Sequence, residues 1–245
     1  MKALKSLLYI AICVQTFGAM MLPMKFDKRI DGTNGGYQEY QIANSTDETV
    51  RYKIYKKSEP KDLEDKRITG DMSRWIQYYP KIITIPPKST GIVKVAIKSP
   101  LGAKEGEYVA RLGTSPLEVP KLGESKNVVS PQINLPIGME MKIFGYVGDI
   151  APKLESDIKS FKNSNGTYFK GKIKNIGTAG MKILASYRYK DSTGTHSTMI
   201  PLGRIYPDGE ISIDTSTIEK SINHKGLEIE IKEDGGNKVF LKITE

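Results

Sequence analysis

Apolar and polar residues alternate one for one along most of the chain, as in Val93-Lys94-Val95-Ala96-Ile97-Lys98. A period of two predicts β-strands, because successive side chains leave a strand on opposite faces. Windows of this kind run over 37–44, 49–56, 91–98, 108–113, 133–143, 168–174, 181–189, 227–232 and 239–244. Turn-forming clusters punctuate them: Asn34-Gly35-Gly36, Pro86-Pro87-Lys88-Ser89, Asn163-Ser164-Asn165-Gly166, Asp191-Ser192-Thr193-Gly194 and Asp234-Gly235-Gly236. No window of helical spacing is long enough to compete. The pattern is all-β, and many short strands with regular punctuation predict β-sandwiches.

The 245 residues are enough for two domains. The boundary is expected at Gly148-Asp149-Ile150-Ala151-Pro152, a short linker. Residues 20–148 and 152–245 then each suit an immunoglobulin-like sandwich of roughly 100 residues, the first with extra loop length, including a charged segment over 58–69 expected to be exposed.

Residues 1–19 read as a secretory signal: Lys2 and Lys5 precede an apolar run from Leu7 to Val14, followed by Thr16, Gly18 and Ala19. That run is shorter than the roughly 20 apolar residues of a membrane helix, so no membrane-spanning segment is expected. The only cysteine, Cys13, falls inside the signal, and Ile12 before it is too large for a lipidation motif. The processed chain therefore relies on packing without disulfides. The formal charge of +9 becomes +7 once Lys2 and Lys5 are removed. The lysines are spread through alternating strands, as on a solvated sheet face, which speaks against a nucleic-acid partner.

Residues 133–143 carry the most informative pattern: Ile133, Leu135, Ile137, Met139, Met141 and Ile143 are all apolar and all on one face. Pro136 cannot donate a ladder hydrogen bond, so the strand is expected at a sheet edge. Such a stripe either faces its own core or serves an incoming strand, with main-chain bonds supplying affinity and alternate side chains filling a partner's pockets. The pattern leaves both open.

Catalytic chemistry is not legible. His196 and His224 sit in polar, turn-like settings without cysteines or carboxylates at metal spacing. There is no Gly-x-Ser-x-Gly elbow and no phosphate loop, and the acid-rich run 59–65 lacks the ligand order of a calcium loop. Glu140 and Lys142 share a strand face without a pocket to make them a pair, and Trp75 reads as a core or cleft aromatic. No enzyme activity, cofactor or metal is expected.

Several blocks, in order, resemble the PapD-like periplasmic chaperones of the chaperone–usher pathway. They are Tyr40-Gln-Ile-Ala-Asn44, Trp75-Ile-Gln-Tyr-Tyr-Pro80 with Ile83-Thr-Ile85-Pro-Pro87, and the stripe ending Met141-Lys142-Ile143-Phe144-Gly-Tyr146. The resemblance covers most of residues 22–150, and Val147-Gly148 departs from the family's usual Arg-Pro. It implies a chaperone that binds pilus or other fibre subunits, incomplete immunoglobulin-like folds, by lending its own strand, and an outer-membrane usher as a possible further partner. Ile133, Leu135 and Ile137 would be the donated positions, with Met139 and Met141 extending the row. Lys142 would anchor the subunit's terminal carboxylate in the cleft between domains, together with a second cation for which Lys28 and Arg29 both qualify. The alternative is a secreted two-domain adhesion or carbohydrate-binding module with Tyr78 and Tyr79 as an aromatic platform.

Overall fold

The computed structural model describes residues 19–33, 35–59, 67–117, 137–163, 166–191, 193–215, 225–234 and 238–244. Ile133, Leu135, Pro136, His224 and residues 1–18 lie outside them. The chain divides into two compact units, residues 1–104 with 108–147, and residues 105–107 with 148–245.

The first unit contains β1 (Ala19–Leu22), β2 (Asp27–Arg29), β3 (Gly36–Asn44), β4 (Val50–Lys57), β5 (Gly70–Asp71), β6 (Ile76–Tyr79), β7 (Ile82–Ile85), β8 (Thr90–Ile97), β9 (Gly106–Leu117) and β10 (Met139–Val147), with a single 3-10 turn over Ser73–Trp75. One sheet has the order β1-β3-β8-β6, the other β2-β10-β9-β4-β7 with β5 beside β9. The amino-terminal segment thus serves both sheets. Its first part pairs antiparallel with β3 and its second runs parallel to β10, an arrangement of strands like that of an immunoglobulin sandwich.

Alternation explains which residues fill the space between the sheets. In β8, Val93, Val95 and Ile97 are fully buried whereas Ile92, Lys94 and Ala96 are exposed. Tyr40 and Ile42 of β3 and Tyr52 and Ile54 of β4 join them in one core with Ile85, Leu112 and Ile143. Burying a large apolar side chain contributes about 1.5–3 kcal/mol, so this shared row is what holds the sheets face to face.

The second unit is built from β11 (Leu154–Ser156), β12 (Lys159–Asn163), β13 (Gly166–Asn175), β14 (Met181–Asp191), β15 (Gly194–Ile205), β16 (Glu210–Asp214), β17 (Lys225–Glu233) and β18 (Val239–Thr244). β13 pairs with β11, β12 and β16, and a second sheet has the order β15-β14-β17-β18. Its core includes Phe169, Ile173, Ile183, Ala185, Tyr187, Ile213, Ile229 and Ile231. β15 was not evident from the sequence because it is an edge strand with most side chains exposed, and its Pro201 sits beside a register shift, where the missing N–H is tolerated.

Among the described residues each unit buries one asparagine at the last position of a long strand. Asn44 ends β3 at 2% exposure and Asn175 ends β13 at 0%. The Asn44 amide donates to the carbonyls of Glu48 and Pro86 while its oxygen accepts from the Thr46 N–H and hydroxyl. The Asn175 amide donates to the carbonyl of Ala179, and its oxygen accepts from the N–H groups of Lys153 and Gly177. Among the described residues no helix is long and apolar enough to cross a membrane.

Candidate functional site

β10 is built on the apolar row read from the sequence, and burial changes along it. Ile137, just ahead of the strand, is 66% exposed, and Met139 is half-buried against the core. Met141 falls to 6% exposure and Ile143 to 0%. Met141 therefore packs in the core of its own unit. The physical reason is that the two sheets close over the strand from that point on.

The described pairing with β2 begins only at Phe144, beyond the 133–143 stretch that Pro136 predicts at an edge. β10 is second in its sheet, with β9 on one side and β2 on the other. The β2 pairing is short: Phe144 faces Asp27, Gly145 faces Lys28 and Tyr146 faces Arg29. The N–H of Phe144 also donates to the carbonyl of Phe26 at 2.8 Å.

Close backbone approach fixes where β10 enters the sheet. A Cβ on Gly113 of β9 would lie 2.8 Å from the Met139 carbonyl oxygen and 2.6 Å from the Tyr55 ring. A Cβ on Gly138 would lie 2.8 Å from the Thr114 carbonyl oxygen. Only glycine permits this spacing at both positions. The N–H of Met139 then donates to the buried Thr114 hydroxyl at 3.1 Å.

Alternation also sorts the cations. Phe26 and Ile30 are buried, so Lys28, which shares their parity, lies on the core side of β2. Its ammonium donates to the Tyr37 carbonyl at 2.7 Å and sits 5.9 Å from the Phe26 ring centre, and burial pulls its pKa down. Arg29 lies on the opposite face, paired with Asp31 at 2.7 Å. Its register partner Tyr146 has the same parity as the half-buried Lys142, so Arg29 and Lys142 occupy one face of the sheet.

That face carries a charge cluster the sequence did not disclose. Glu140 accepts from Arg111 of β9 at 2.6 Å and from the Tyr55 hydroxyl at 2.8 Å, and pairs with Lys57 at 2.7 Å. Arg111 also pairs with Glu59, which is only 7% exposed although it begins the segment expected to be a solvated loop. Ile68, near the other end of that segment, is buried too. Desolvation pushes the Glu140 carboxyl upward, but the hydrogen bonds from Lys57, Tyr55 and Arg111 outweigh it and hold the pKa at about 2.

A depressed carboxylate pKa contributes stability that is complete above the unfolded value and lost as pH falls through the folded one. We therefore expect part of the protein's stability to disappear between pH 4.5 and about 2 on account of Glu140. A Glu140→Gln variant should be less stable at pH 7 and should fall less steeply over that acid range. Urea midpoints at pH 7, 4 and 3 measure both. Parallel acid limbs for the variant and the parent protein would contradict the assignment.

The aromatic platform does not form. Tyr78 packs against the core with the Lys81 ammonium 3.5 Å from its ring centre, whereas Tyr79 is 74% exposed. Neighbours on a strand point to opposite faces, so the two rings cannot make one surface. His196 contacts the Thr193 hydroxyl at 2.9 Å in a hairpin of the second unit, remote in sequence from the strand described above.

Three similar solved structures describe the company this chain keeps. One chain of the complex between the Salmonella enterica SafA pilin and the SafB chaperone matches with a TM-score of 0.48 at 13% identity, covering 94% of this chain and 96% of that one. The class 5 fimbriae chaperone CfaA matches with a TM-score of 0.45 at 14% identity, covering 93% and 97%. The CupB2 chaperone of Pseudomonas aeruginosa matches with a TM-score of 0.45 at 11% identity, covering 92% and 97%. No family model and no curated protein matches the chain.

Proposed function

We propose that this protein is a periplasmic chaperone that holds incomplete immunoglobulin-like fibre subunits by lending them residues 133–143 as a strand, and that it delivers them for assembly at the outer membrane. The observation that carries this reading is the burial gradient from Ile137 to Ile143. One apolar row is anchored in its own core at Met141 and Ile143 and reaches solvent at Ile137. Ile133 and Leu135 continue the row by alternation, and Met139 marks its inner end. A strand rooted in this way keeps its register while its outer part lies along a partner, whose main chain it pairs with and whose groove it fills.

The same reading gives the cations a role. Lys142 and Arg29 share a face, and a terminal carboxylate bound there would gain charge-assisted hydrogen bonds that set the subunit's register. Alternation favours Arg29 over Lys28 as the second cation, with Asp31 holding its guanidinium. No nucleotide or covalent step is required, because exchange of one strand for another conserves the hydrogen bonds.

Ile137→Asp tests the reading. The variant should retain the parent's unfolding free energy within about 0.5 kcal/mol, because the side chain is exposed. Its affinity for a fibre subunit lacking its last strand should drop by roughly thirtyfold or more, as expected for an anchor side chain worth about 2 kcal/mol. The measurement is co-purification and titration of the co-expressed pair. Undiminished capture by the variant would overturn the proposal.

A further inference from the structure

We propose a second ligand site on the first unit, independent of strand donation: a cationic, aromatic-walled cavity that takes an acidic residue of an extended peptide. The cavity has a volume of about 410 Å³ and is lined by Arg74, Trp75, Gln77, Ile97, Lys98 and Pro100 among others. That volume lies in the range of roughly 300–1,000 Å³ typical of small-ligand sites.

Its wall is built by a local device. Asp71 accepts from the Ser73 N–H at 3.0 Å and from the Ser73 hydroxyl at 2.6 Å, and the Trp75 N–H closes the turn onto the Met72 carbonyl at 2.9 Å. This sets Arg74 and Trp75 side by side at the entrance to β6. The Trp75 ring is then fixed by the Tyr108 ring, 4.6 Å away between centres and tilted by 51°. A rigid indole face needs little ordering when a ligand arrives.

The lining chemistry selects the ligand. Two cations and no acid line the cavity, which calls for an anion. Lys98 is partly engaged, donating to the Thr33 carbonyl at 3.2 Å, whereas the guanidinium of Arg74 and the side-chain amide of Gln77 have no partner among the described residues. A guanidinium fork matches a carboxylate with two parallel hydrogen bonds, and Gln77 adds a donor beside it. Trp75 and Pro100 supply the apolar surface for a neighbouring aliphatic group. An extended chain is favoured over a free metabolite because β6, which contributes Gln77 to the lining, is the last strand of its sheet among the described residues. The chain's formal charge of +9 makes a second copy of itself a poor source of that acidic segment.

Trp75 is the only tryptophan, so in the folded protein a ligand that enters this cavity alters the emission of a single indole. The experiment titrates the full chain with the peptide Ac-Leu-Glu-Leu-NH2, with Ac-Leu-Gln-Leu-NH2 and with sodium phosphate at constant ionic strength. We expect a saturable change with the glutamate peptide and at least tenfold weaker binding of the glutamine peptide and of phosphate. Arg74→Ala should weaken the glutamate peptide at least tenfold, while Lys94→Ala, on the same sheet but outside the lining, should not. Absence of a saturable change, equal affinity for the two peptides or for phosphate, or an unaltered Arg74→Ala titration would each overturn the proposal. The peptide comparison uses the unmutated protein and so stands whatever the variants do, and its result is separate from that of Ile137→Asp.

Discussion

Replacing Ile143 by alanine is expected to destabilise the first unit by about 2–5 kcal/mol, the range for large-to-small changes in a closed core. Ile143 is 0% exposed and belongs to the cluster that includes Tyr52, Ile54, Val95 and Leu112. Three carbons are lost from a site where two hydrogen-bonded sheets restrict collapse, so transfer and cavity terms both count. Trp75 packs against the same core and gives a fluorescence signal for unfolding of this unit. Set beside Ile137→Asp, which should leave the unfolding midpoint alone, the result separates the two ends of one apolar row: the inner end holds the fold, whereas the exposed end does not. A loss below about 1 kcal/mol for Ile143→Ala would mean that β10 is not rooted as described.

An equally large effect is expected at Asn44. Its amide donates at 2.8 Å to Glu48, 2.9 Å to Pro86 and 3.2 Å to Ile85, all backbone carbonyls, and its oxygen takes two hydrogen bonds from Thr46. Alanine removes every one of these and leaves buried acceptors without donors, each costing about 1–3 kcal/mol, so a total of roughly 3 kcal/mol or more is expected. Asn44→Asp keeps the shape but replaces a donor by a negative charge facing carbonyl oxygens, and should cost at least as much at pH 7. Denaturant titration of both variants distinguishes hydrogen bonding from packing: if the aspartate is tolerated, the site is held by shape alone.

The repetition of this arrangement at Asn175 is instructive about legibility. Asn175 accepts and donates much as Asn44 does, and Asn175-Ile176-Gly177 is a turn signal in its own right. It passed unnoticed because asparagine at a strand end is common in exposed turns, and nothing local states that its amide will be buried. The Glu140 cluster was hidden for a stronger reason. Tyr55, Arg111 and Glu140 stand on three strands, the first and the last 85 positions apart in the chain, and they meet only because β4, β9 and β10 are neighbours in one sheet.

What the sequence by itself determined is everything that alternation can encode: the strands β3, β4, β8, β13, β14, β17 and β18, and the continuous apolar row from Ile133 to Ile143. Period two states that a strand has an apolar face, and it holds without knowledge of any partner. Only the tertiary structure decided which members of that row are covered, that β2 runs parallel to β10 over Phe144–Tyr146, and that Arg29 shares a face with Lys142 while Lys28 does not. Burial and pairing depend on segments distant in the chain, and three residues of β2 carry too little pattern to announce their neighbour.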